Sequence, residues 1–245
     1  MLLFCLPYAG GSEVGYYKWG NHLDKSIYLH PVPLKGRGQR FNEGFYMSMK
    51  EVTDDIYNMI QDKIDQNQYA LYGHSMGSIL AYELYHKIRS EGKRLPEHIF
   101  FSGCKTPDRM KDKEKLHHFS NQELLSKLSA LGGIPQELVD SKELTDLFLP
   151  IIRNDLKILG EYEYNPNQHK IECDISILIG TEDTVKLEEA LEWNKYSERE
   201  AIVYTLNGNH FFINNNIEYI NKIINKSLIY EKNNKNQVGV NYEYL

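Results

Sequence analysis

Three cysteines in 245 residues, Cys5, Cys104 and Cys173, are too few and too widely spaced for a zinc site or a disulfide framework. Each lies in or beside an apolar run, the setting of a buried, reduced and unreactive thiol. Long hydrophobic runs are missing too. Nothing in the chain reaches the roughly 20 consecutive apolar residues that a membrane helix needs. Nor is there an excess of positive charge. Lys and Arg number 28 against 34 Asp and Glu, a formal charge of −6, which argues against non-specific nucleic-acid binding. An acidic partner would therefore need a local basic patch. The first residues lack a basic leader and a small-residue cleavage site, so they read as a strand and the chain is expected to be cytoplasmic. No internal repeat is visible.

What is present is an ordinary globular composition, 41% hydrophobic and 25% charged, in a length that suits one large α/β domain or two small ones. Apolar runs at Leu2–Leu6, Ile27–Leu34, Tyr69–Tyr72, His98–Gly103, Asp174–Gly180 and Ala201–Leu206 read as strands. Prolines in the second place it at an edge. Helical spacing intervenes over Glu13–Leu23, Met49–Ile64, the residues after Ser75, Lys186–Tyr196 and Ile217–Ile229. Alternation of this kind predicts a mainly parallel sheet with helices on both faces. Between about Pro107 and Pro166 the pattern is helical only, with starts at Ser120 (Glu123 three residues on) and Ser141. An all-helical insertion there is a natural cap over an active site. The domain is expected to run over 1–230, followed by a polar, asparagine-rich tail over 231–245.

Gly73-His74-Ser75-Met76-Gly77 fits the Gly-x-Ser-x-Gly nucleophile elbow, in which small flanking residues let strand and helix close on a strained serine. The pentapeptide alone is weak. Its setting, between an apolar strand and a periodic helix, strengthens it. Active sites of such sheets lie beyond the carboxyl ends of strands. Ser75, Asp183 and His210 all fall at those ends, in the chain order of the α/β-hydrolase triad. Chemistry assigns the roles: His210 takes the proton from Ser75, and Asp183 orients the imidazole and stabilises its cation. An oxyanion needs two backbone N–H donors. Met76 follows the nucleophile and supplies one; the Pro7-Tyr-Ala-Gly-Gly11 loop supplies the other, with Ala9 chosen and Tyr8 the adjacent alternative.

The chain resembles the type II (external, editing) thioesterases of non-ribosomal peptide and polyketide synthases. The residues that carry the resemblance are Leu3–Ser12, Leu34-Lys-Gly-Arg-Gly-Gln-Arg40, Leu71–Gly77, Leu131-Gly-Gly-Ile-Pro135, Gly180-Thr-Glu-Asp183 and Gly208-Asn-His-Phe-Phe212. They run in family order up to about Ile229. Lys35 departs from the proline usual before Gly-Arg-Gly, and touches no catalytic assignment. The resemblance implies an α/β-hydrolase fold with a mobile helical cap. It implies hydrolysis of aberrant or stalled acyl groups from the phosphopantetheine arms of carrier domains by a monomer with no cofactor or metal of its own. It supports Ser75, Asp183 and His210 as the triad and Ala9 and Met76 as oxyanion donors. A carboxylesterase, an acyltransferase or a non-catalytic carrier-binding protein are the alternatives.

Other residues carry less. His74 reads as a packed histidine. Arg37 and Arg40 shape a loop near the entrance or are solvated. Lys105, Arg109, Lys111, Lys113 and Lys115 could receive an acidic carrier domain, but a solvated face is the plainer reading. Leu147, Leu149, Ile151, Ile152, Leu156 and Leu159 could line an acyl channel or pack the cap.

Overall fold

The computed structural model describes residues 1–112, 114–134 and 136–230. The expected tail over 231–245 therefore lies outside the described residues, as do Lys113 and Pro135. Among the described residues six strands form one sheet: β1 (Leu2–Leu6), β2 (Tyr28–Pro31), β3 (Tyr69–His74), β4 (His98–Ser102), β5 (Asp174–Gly180) and β6 (Ile202–Leu206). Their order is β2-β1-β3-β4-β5-β6 and every pairing is parallel, so the expectation of a mainly parallel sheet holds in its strict form. The proline-bearing β2 is an edge strand.

Strand order reverses at β1, whose neighbours are β2 on one side and β3 on the other. This is the topological switch point, where loops leaving two adjacent strands diverge to opposite faces and open a crevice. The two loops at that point are Pro7–Gly11 and the elbow at Ser75.

Alternation along β1 divides the core. Leu2, Phe4 and Leu6 face one layer with Ile56, Ile60 and Ile79, while Leu3 and Cys5 face the other with Trp19, Tyr72 and Ile220. The first layer is covered by α1 (Met49–Gln66) and α2 (Met76–Ser90), and the second by a 3₁₀ helix over Glu13–Asn21 and, after α6 (Leu187–Leu191), by α7 (Ile217–Asn225). In α1, Val52, Ile56, Ile60 and Ile64 recur every four residues on the buried face, and Ser48 caps the start by accepting the Glu51 N–H at 3.2 Å. All three cysteines are free and buried; burial raises the Cys5 thiol well above its usual value and Cys173 to about 12.

The segment between β4 and β5 is helical, as its sequence predicts: α3 (Asn121–Ala130), α4 (Gln136–Asp140) and α5 (Lys142–Gly160), preceded by two short 3₁₀ turns. Both predicted starts are real caps. The Ser120 hydroxyl accepts the Glu123 N–H at 3.3 Å while the Glu123 carboxylate accepts the Ser120 N–H at 3.0 Å, and Ser141 accepts the Leu144 N–H at 3.3 Å. Leu149 and Ile152 of α5 pack with Leu124 and Leu128 of α3 in a small core of their own, so these leucines build the segment; Leu147 stays exposed. Three elements depart from expectation. Glu13–Asn21, interrupted by glycine, winds as 3₁₀ rather than α. The Lys186–Tyr196 stretch splits into α6 and a 3₁₀ turn, and the last helix passes into a π turn at Lys226–Tyr230.

Candidate active site

Ser75 joins β3 to α2 with φ 53° and ψ −111°, the one positive φ at a non-glycine residue among the described residues. Such a conformation costs about 1–3 kcal/mol and persists only where its surroundings fix it. Here they do. The Ser75 N–H donates to the Ser102 carbonyl at 2.8 Å. The Ser78 hydroxyl shares its one proton between the Gly73 and Ser102 carbonyls, at 2.8 and 3.1 Å, and accepts the Ser102 N–H at 3.0 Å. The flanking glycines answer to space. A Cβ on Gly73 would stand 2.0 Å from the Gly77 carbonyl oxygen, and one on Gly77 would stand 2.2 Å from the Leu6 carbonyl oxygen. Gly77 thus lets the elbow press against the end of β1.

His210 lies between Ser75 and Asp183. Its Nε2 is 3.0 Å from the Ser75 Oγ, and its Nδ1 is 2.9 and 3.2 Å from the two Asp183 carboxylate oxygens. Three strand ends supply these residues: β3 gives Ser75, the turn after β5 gives Asp183, and the loop after β6 gives His210. Asp183 is 1% exposed. Burial alone would push its carboxyl up, but the His210 contact and the N–H groups of Thr184 (2.6 Å) and Val185 (3.4 Å) outweigh it, holding Asp183 below the usual carboxylate range. The acid is therefore ionised where the imidazole needs it.

Met76 opens α2, so its N–H is one of those a helix leaves without an intrahelical acceptor, at the positive end of the dipole. Ala9 sits in the loop after β1, in a turn closed by the Gly11 N–H donating to the Tyr8 carbonyl at 2.8 Å. The contact of Gly77 with Leu6 brings these two segments side by side.

His74 is fully buried, with Nδ1 at 2.9 Å from the Ser102 hydroxyl and its ring edge-on to Tyr8 and Phe212. Burial, followed by repulsion from His210, drives its pKa well down, so it packs as a neutral ring. The helical segment meets the site twice. Gly132 lies against Asn209 and Gly133 against the Phe211 ring, so close that a Cβ at either would stand 2.2 Å from that side chain, and Asp155 of α5 accepts the Gly10 N–H at 2.7 Å.

Neither arginine of the Gly-Arg-Gly-Gln-Arg loop is solvated. Arg37 is 3% exposed and pairs with Asp155, while Arg40 binds Glu43 and Asp55. In the basic stretch, Lys105 is paired with Glu189 at 2.7 Å and Arg109 with Glu192 at 2.9 Å, which weakens its claim as an acid-binding face. A cleft of about 900 Å³ lies elsewhere, lined by Glu83, His86 and Tyr162 among others, and contains none of Ser75, Asp183 and His210. Asp155 and the buried Glu13, which accepts the Gln39 N–H at 2.8 Å, are absent from the sequence reading of the site. Asp155 had one signal: an acid inside the apolar stripe Leu149, Ile152, Leu159.

The thioesterase domain family matches residues 2–228. The gramicidin S biosynthesis protein GrsT of Aneurinibacillus migulanus is 31% identical over 212 residues, covering 86% of this chain and 82% of that protein. The medium-chain S-acyl fatty acid synthase thioesterase of Rattus norvegicus is 28% identical over 214 residues, covering 86% and 81%. The crystal structure of ClbQ from the colibactin NRPS/PKS pathway superposes with a TM-score of 0.89 at 33% identity, over 94% of this chain and 98% of that one. The family match takes in all six strands and the helical segment between β4 and β5, and this chain belongs to the thioesterase family, enzymes that hydrolyse acyl thioesters.

Proposed function

We propose that this chain is a type II thioesterase that removes aberrant or stalled acyl groups from the phosphopantetheine arms of carrier domains in non-ribosomal peptide or polyketide biosynthesis. The observation that carries the chemistry is the line Ser75 Oγ, His210 Nε2, His210 Nδ1, Asp183, with contacts of 3.0 and 2.9 Å. The relatives supply the pathway: GrsT belongs to gramicidin S biosynthesis and ClbQ to an NRPS/PKS pathway.

Reaction proceeds in two halves. Ser75 Oγ attacks the thioester carbonyl as its proton passes to His210 Nε2, and Asp183 stabilises the imidazolium. The tetrahedral oxyanion is held by the N–H groups of Ala9 and Met76. It collapses by breaking the carbon–sulfur bond, and the sulfur leaves with the proton from His210. Water then attacks the acyl-serine, giving its proton to His210, and the second collapse returns that proton to Ser75 and frees the acid. The helical segment acts as a cap, resting on the His210 loop at Gly132 and Gly133 and on the Ala9 loop at Asp155.

The substrate class is tested by comparing kcat/KM for one acyl group carried as a thioester on a phosphopantetheinylated carrier domain and as an oxygen ester. The carrier thioester is expected to be preferred by about 10²-fold or more, since carrier contacts add transition-state binding. Equal turnover, or preference for the oxygen ester, would favour a carboxylesterase.

A further inference from the structure

Asp155 lies in the middle of α5, 1% exposed, between the apolar contacts of Ile152 and Leu159. A buried carboxylate is costly unless fully paired. Arg37 pairs it through both terminal guanidinium nitrogens, Nη2 at 2.7 Å from Oδ1 and Nη1 on Oδ2. Arg37 also donates from Nη1 to the Gly11 carbonyl at 3.4 Å and from Nε to the Lys35 carbonyl at 3.3 Å. The remaining donor to Asp155 is the Gly10 N–H, at 2.7 Å. One buried ion pair therefore ties three segments together: the loop after β1, the Gly-Arg-Gly loop and α5.

Peptide geometry shows what this does to Ala9. In a trans peptide the C=O and N–H point in opposite directions. No cis peptide occurs among the described residues. The Tyr8 carbonyl is held by the Gly11 N–H at 2.8 Å, which aims the N–H of Ala9, in the same plane, the other way. The next plane, between Ala9 and Gly10, is held through the Gly10 N–H by Asp155. Both planes flanking Ala9 are thus fixed, one by the loop itself and one by α5. A donor set before the reaction begins needs no reorganisation when the oxyanion forms, and that is the source of its strength.

We infer that Asp155 and Arg37 are a positioning pair that presets the Ala9 N–H and makes the oxyanion hole depend on α5 being docked. The inference rests on the assignment of Ala9 as an oxyanion donor made above. Neither side chain takes part in bond making. Asp155 acts through the Gly10 N–H, and Arg37 acts by holding Asp155.

Two double variants separate this role from plain stability. Arg37→Met with Asp155→Leu removes both charges and the acceptor for Gly10. Arg37→Met with Asp155→Asn removes both charges and keeps an oxygen to accept that N–H. With an acyl-pantetheine substrate, the leucine double is expected to lose about 10–100-fold in kcat with KM little changed, the range expected for a loosened oxyanion donor. The asparagine double is expected to recover most of that loss. Affinity for a trifluoromethyl ketone analogue, which forms the tetrahedral adduct, falls with kcat, while affinity for an unreactive thioether analogue holds. A leucine double with kcat within twofold of wild type, or an asparagine double no better than the leucine one, overturns the inference. Should the leucine double not fold, Asp155→Glu carries the test. It keeps the charge and shifts the carboxylate by one methylene; a large kcat loss at constant KM supports the pairing, and an unchanged kcat refutes it. Loss of turnover in Ser75→Ala tests the thioesterase reading separately, so failure of the pair leaves that reading standing.

Discussion

Ser75→Ala is expected to lower kcat for acyl-pantetheine hydrolysis by about 10⁴–10⁶-fold, the range seen when a triad nucleophile is removed and only binding and the oxyanion hole remain. The substitution removes one oxygen. The strained backbone at φ 53° is held by the Ser75 N–H to Ser102 and by the Ser78 hydroxyl, and neither contact uses the Ser75 side chain. The melting temperature should therefore stay within a few degrees of wild type, and the thioester substrate should still bind. Steady-state kinetics on an acyl-pantetheine, with thermal unfolding as the control, decides it. Turnover within tenfold of wild type in a folded protein would remove Ser75 from the mechanism.

Asp183→Asn is expected to cost about 10⁴-fold in kcat, because it changes which nitrogen of His210 carries the proton. With the carboxylate in place, 2.9 Å from Nδ1, the ring is held with its proton on Nδ1 and the Nε2 lone pair facing Ser75. An amide there can donate to Nδ1 instead. The proton then sits on Nε2, and the imidazole can no longer accept from the serine. The Asp183 site is otherwise undisturbed, since the retained amide oxygen can still accept the Thr184 and Val185 N–H groups. Proton NMR of the wild type should show a low-field Nδ1–H resonance from His210 that the variant lacks. Loss of that signal with kcat unchanged would show that the tautomer does not matter here.

The parts of this site that were legible in sequence are those set by local chemistry. A glycine-bounded serine between a buried strand and a periodic helix admits one backbone path, and Gly73 and Gly77 take it because carbonyl oxygens occupy the space a Cβ would need. Asp183 and His210 could be read from their positions at strand ends, since a parallel sheet sends all its carboxyl ends to one edge. The two capped helix starts at Ser120 and Ser141 were legible for the same reason: each cap involves residues three apart. What local pattern does not encode is a contact between distant residues. Arg37 and Asp155 are 118 positions apart, and nothing near either names the other. Read alone, Arg37 is a cation in a glycine-rich loop. Only the fold shows that it is buried. The same limit explains Glu13, an acid at the start of a short helix whose partner is the backbone of Gln39. The winding of Glu13–Asn21 as 3₁₀ was hidden for another reason, since over nine residues the spacing of Tyr16 and Trp19 suits either helix.

The most direct measurement is rapid-quench intact-mass spectrometry after mixing the protein with a carrier domain bearing an acyl-phosphopantetheine. The account predicts that the carrier loses the acyl mass while the protein transiently gains it at Ser75, and that His210→Ala leaves both masses unchanged. A carrier that is deacylated at the wild-type rate by a protein that cannot be acylated at Ser75 would contradict it.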